Sequence, residues 1–102
     1  MNEPKRYVGI NNDLNGGMTD TGKIIRDAWV FGLIPETETC EGWLASGLED
    51  LWRKVNEQWE LYGFQVSKLP PDMQAKFLRL HQQAFEQAKA AGWDAENELA
   101  GD

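Results

Sequence analysis

The chain is expected to fold as an all-α protein: a small three-helix domain with an extended, turn-rich N-terminal arm and a short acidic C-terminal tail. Three observations predict this. Apolar residues recur at three- and four-residue steps over two long segments. Gly63, the Pro70-Pro71 pair and Gly92 stand where those segments should stop or start. Finally, with 102 residues and one cysteine, the chain is large enough to bury a core without disulfides or metals.

The arm, residues 1–18, is rich in turn formers. Its Asn, Asp and Gly side chains and backbones suit tight turns rather than a regular element. Thr19 or Thr21 can cap a helix whose first turn holds Asp20, and Pro35 forbids continuation, so a helix is expected over about 20–33. Its second half, "AWVFGLI", is apolar all round and needs cover on both faces. Thr37 and Thr39 offer caps for a second helix, about 38–62, with Glu38 and Glu41 in its first turn. Leu44, Leu48, Leu51, Val55 and Tyr62 form its stripe, with Trp52 and Trp59 beside them, and Gly63 ends it. A third helix, about 71–91, begins at Pro71 with Asp72 beside it. Met73, Phe77, Leu80, Ala84 and Ala88 share one face, Leu78 and Phe85 widen it, and Gly92 stops it. Residues 92–102 form the tail.

"GMTDTGK", Gly17 to Lys23, has the glycine and lysine spacing of a phosphate-binding loop. Such a loop also needs a Ser or Thr after the lysine to ligate Mg²⁺ and a strand leading into it inside a parallel sheet. Here Ile24 follows Lys23, and the later segments read as helices, so no nucleotide site is expected. "NNDLNGGMT" approaches the ligand spacing of a calcium loop, but Gly22 stands where the bidentate glutamate belongs. One Cys40 and one His81 cannot make a zinc cluster. No metal and no cofactor are therefore expected. Cys40 lies among Glu36, Glu38 and Glu41, whose field should raise a thiol pKa, and His81 sits beside an apolar stripe next to Gln82 and Gln83. No catalytic residue is assigned.

The net charge is −7 and unevenly spread. Residues 1–35 carry four acids and four bases; 36–50 carry five acids and no base; four more acids follow Trp93. Nucleic-acid backbones demand the opposite pattern, so no nucleic-acid binding is expected. No apolar run approaches the roughly eighteen residues of a membrane span, and "MNEPKRYVGI" lacks the apolar core of a signal peptide. A cytoplasmic protein without membrane contact is the expectation.

Five tryptophans are many for this length. Trp29, Trp52 and Trp59 lie on or beside the apolar stripes and are expected in the core. Trp43, near a helix start, and Trp93, after a stop glycine, are the candidate interface residues. The leading functional reading is a non-catalytic interaction protein that binds a protein partner or itself. A second is an acidic mimic of nucleic acid that occupies a basic groove. A third places a small-ligand or enzymatic site in the arm, on Asn12, Asp13, Asn15, Lys23 and Arg26, where donors and acceptors are dense.

Overall fold

The first helix starts where the sequence says it should. In the computed structural model, which describes residues 5–92, Thr19 takes extended backbone angles and its hydroxyl accepts from the Gly22 N–H at 3.0 Å. This satisfies one of the free amides at a helix start, and Asp20 follows at the positive end of the helix dipole. Helix α1 runs Asp20–Val30, three residues short of the expected end. The stop is Gly32, at φ +70°. The Leu33 amide bonds the Ala28 carbonyl and the Gly32 amide the Trp29 carbonyl, the paired bonds of a Schellman C-cap. Gly32 is thus the terminator of α1 rather than an interior residue, and "GLI" belongs to the following loop.

Helix α2, Ala45–Leu61, starts seven residues later than expected. Residues 35–44 form turns instead. Cys40 and Gly42 both have positive φ, +62° and +82°, which no right-handed helix accommodates. The Cys40 amide is capped by the Glu38 carboxylate at 3.0 Å, and the Trp43 amide bonds the Cys40 carbonyl at 3.1 Å. Thr37 and Thr39 therefore cap no helix; Leu44 stands at the N-cap and supplies no side-chain bond. The α2 terminus follows expectation. Gly63, at φ +61°, closes a second Schellman pair, Phe64 N–H to Trp59 carbonyl and Gly63 N–H to Glu60 carbonyl. A 3-10 turn at Val66–Lys68 leads to α3, Pro71–Ala90, with Pro71 at its first turn and Gly92 beyond its end at φ +96°.

The arm is only partly extended. Arg6 pairs with Leu44 as an isolated antiparallel bridge, and Tyr7 exchanges backbone bonds with Gly42 and Trp43, both 2.8 Å. From Ile10 the chain curls into two 3-10 turns, Ile10–Asn12 and Leu14–Gly17. The expected tail from Trp93 onward lies outside the described residues.

Helix α1 is central: α2 and α3 both pack on it, and the Leu14–Gly17 turn packs on α3. The core joins Ile10, Ile25, Ala28, Cys40, Leu51 and Val55, with Tyr7, Trp29, Trp43 and Trp59 packed around them. Leu80, Ala84 and Ala88 are the buried positions of α3. Phe77 meets Trp59 edge-on at 5.9 Å and links α3 to α2. Three expectations fail at the stripe margins: Trp52 is 54% exposed, and Leu78 and Phe85 lie on the surface. Each is one helical step from an inward position, buried Leu51, partly buried Phe77 and buried Ala84 respectively, so helix rotation decides which neighbour turns to the core. Among the described residues no helix is long and apolar enough to cross a membrane.

Leu51 is 4% exposed and Val55 fully buried. Leu51→Ala is expected to cost about 2–5 kcal/mol, the loss of transfer energy and packing together. Lys54→Ala, which removes only an exposed pair with Asp50, should cost less than about 0.5 kcal/mol. Urea denaturation of the two variants checks the ordering.

Candidate functional site

Asp13 is the hub of the arm. Tyr7 and Thr19 both donate hydroxyl protons to its Oδ2 at 2.6 Å, and the Leu14 amide donates to Oδ1 at 2.7 Å. Arg26, only 3% exposed, adds its charge from α1 and donates to the Gly17 carbonyl. Burial pushes the Asp13 carboxyl up, but the three hydrogen bonds and the Arg26 charge outweigh it and hold the pKa below its ordinary value. The same geometry drives the Tyr7 phenol well above its usual range, through burial first and then its bond to the Asp13 carboxylate. Burial lowers the Arg26 pKa, against the opposing pull of Asp27, Tyr7 and Asp13, and a guanidinium so placed stays charged.

The glycines of "GMTDTGK" serve this docking. Gly17 sits at φ +86°, and a Cβ on Gly22 would lie 2.0 Å from the Gly17 carbonyl oxygen. Only a hydrogen at position 22 lets the arm lie directly on the first turn of α1.

The five residues proposed from sequence do not converge. Asp13 and Arg26 come together, with Tyr7 and Thr19 as partners the sequence did not supply. Asn12 is exposed and donates its amide to the Val8 carbonyl at 3.3 Å. Asn15 lies in the Leu14–Gly17 turn. Lys23 is exposed and lines a different cleft. Trp43 is partly buried against the core, with its ring over the first turn of α2, where a Cβ on Gly47 would meet it at 3.4 Å.

A second polar node joins all three helices. Asp27 of α1 accepts from the Trp59 indole N–H of α2 at 3.1 Å. Its other oxygen faces His81 Nε2 of α3 at 3.7 Å, beyond hydrogen-bond range, and both atoms are buried without a hydrogen-bond partner. His81 also lies against the Phe77 ring, centroids 4.0 Å apart. Its company is thus Asp27 and Phe77 rather than Gln82 and Gln83. Protonated, His81 would form an ion pair with Asp27. This node was hidden because 54 residues separate its members in the chain, and no local spacing marks them. The thiol of Cys40 is fully buried, and burial together with the Glu38 charge pushes it up to about 11. It is therefore a protonated core residue near neutral pH.

A cleft of about 450 Å³ opens between α1 and α2. Ile24, Leu48 and the half-exposed Trp52 give it apolar surface; Asp20, Thr21, Lys23, Asp27 and Glu49 supply its polar lining. A smaller one of about 180 Å³ lies between α1, α3 and the arm, where Arg26 and Glu36 meet Gln83 and Gln87. Of the acidic 36–50 segment, Glu36 is bound by Arg79 at 3.1 and 3.2 Å and by Lys76 at 3.7 Å, Asp50 by Arg53 and Lys54, and Glu38 by the Cys40 amide. Among the described residues no three His, Cys, Asp or Glu side chains gather as a metal site. No family model, curated protein or solved structure matches this chain.

Two outcomes test the arm. A carboxylate whose pKa is lowered by folding stabilises the native state above its unfolded pKa, and that contribution disappears as pH falls through the folded value. Asp13→Asn should therefore destabilise the protein at pH 7 and flatten the acid limb of its stability curve below about pH 4. Thermal melts from pH 2 to 7 check both. Gly22→Ala should cost about 1–3 kcal/mol through the forced displacement of Gly17, measured by urea denaturation.

Proposed function

We propose that the protein is a non-catalytic interaction module of the cytoplasm that engages a protein partner through the cleft between α1 and α2, and neither nucleic acid nor membrane. The observation that carries this reading is Trp52, a large indole left 54% exposed in a concave, mostly apolar cleft. Tryptophan buries more apolar area than other side chains and anchors interface centres, and partly exposed on a monomer it retains that area for a partner. Its neighbours strengthen the case, because Leu48 and Ile24 continue the apolar surface across both helices.

The chemistry of the other polar groups supports the same conclusion. Asp13 and Arg26 are occupied by the arm's own bonds, and groups satisfied in that way have little left for a ligand. Cys40 is buried and protonated, which removes the one thiol as a nucleophile. The acids of 36–50 are largely engaged in ion pairs and a turn, which lends the nucleic-acid-mimic reading less support than their number suggested.

Trp52→Ala separates surface from core. Its melting temperature should stay close to wild type, with a stability loss below about 1 kcal/mol for a surface site. In affinity capture with wild-type and Trp52→Ala baits, the partner retained by wild type should be absent from the variant. Identical capture by both baits would contradict the reading.

A further inference from the structure

We infer that the occupant of the α1–α2 cleft is a cationic amphipathic helix of a partner protein; this rests on the reading of the cleft as the interaction surface. The cleft is walled by two helices, and its α1 lining runs from Asp20 to Asp27, about two turns of helix. An open channel of that shape matches a helix laid in a groove, with apolar side chains at i and i+3 or i+4 meeting Ile24, Leu48 and Trp52.

Charge selects the polar face of the occupant. Three carboxylates, Asp20, Asp27 and Glu49, line the cleft against one ammonium, Lys23. Asp20 and Glu49 are exposed, so a Lys or Arg of the occupant can reach both from the cleft. The exposed Trp52 face adds a surface on which a cation packs favourably. The chain's net charge of −7 draws cationic partners from a distance as well. A bare metal ion does not fit these groups, because the carboxylates are spread across an apolar floor rather than gathered on one point. An anionic helix would meet like charge along the rim.

The test uses two synthetic helical peptides of about 14 residues with one shared leucine face, one bearing lysines on the polar face and the other glutamates. Calorimetric titration of the full chain should show the lysine peptide binding at least about ten-fold tighter, an advantage that shrinks with added salt. Glu49→Lys, at an exposed position, should reduce the preference, and Lys23→Glu should enlarge it. Trp52→Ala should weaken both peptides. Equal binding of the two peptides, still dependent on Trp52, overturns the cationic partner and leaves the cleft as an interaction surface. Binding of neither, with capture unchanged by Trp52→Ala, overturns the surface reading itself. A Trp52-dependent dimer in sedimentation overturns the partner in favour of a second copy of the chain.

Discussion

The contact between Gly17 and Gly22 sets the orientation of everything else. With no side chain at position 22, the Gly17 carbonyl presses on the first turn of α1 and stays within reach of Arg26, one turn further along the same face. That pins the rotation of α1 about its axis. Gly22 and Arg26 must face the arm, so Ile24 and Asp27 turn toward the cleft that α2 helps to wall. The negative charge of Asp27 first, with that of Asp13 behind it, offsets the burial of the guanidinium. A buried charge without such a partner would be strongly unfavourable, which ties the arm's order to the helix it covers.

From that rotation follow the two polar nodes and their different characters. The Asp13 node is closed: Tyr7 and Thr19 hydroxyls and a backbone amide satisfy the carboxylate, and its neighbours are the arm's own residues. The Asp27 node is half open. One oxygen is held by the Trp59 indole and the other stands buried 3.7 Å from His81, while the residue as a whole also lines the cleft. The same carboxylate thus ties three helices together and lends negative charge to the surface where a partner is proposed. Trp29 contributes a parallel tie, its indole bonding the Glu38 carbonyl and holding the 35–44 turns against α1.

Much of the fold was legible in local chemistry. The Thr19 cap, the Leu51 and Val55 stripe, Gly63 as terminator and the Pro71 start each depend on residues within one or two turns of one another, and the structure shows each. The misread boundaries share a cause. Gly32 and Gly42 were read through as parts of helices, although a glycine permits the left-handed backbone that ends one; the tertiary pairing of Tyr7 with Gly42 and Trp43 then favours turns over an early start to α2. The site was less legible. Asn12 and Lys23 were grouped with Asp13 because they are near in sequence, but Asn12 bonds the Val8 carbonyl and Lys23 lines the α1–α2 cleft. Trp52 looked interior because it adjoins Leu51, and one residue along a helix is a rotation of about 100°. Asp27 and His81 meet only through the packing of α1 on α3, which no spacing within either segment encodes.

Helix α1 is turned so that the Trp29 and Trp59 indoles are bound internally while Trp52 stands open in the cleft. Hydrogen exchange of the indole N–H groups, resolved by ¹⁵N-edited NMR and assigned by single Trp→Phe variants, measures this directly. The expected result is slow exchange for Trp29 and Trp59, held by the Glu38 carbonyl and the Asp27 carboxylate, and fast exchange for Trp52. A protected Trp52 indole in the monomer, or unprotected Trp29 and Trp59, would contradict the account.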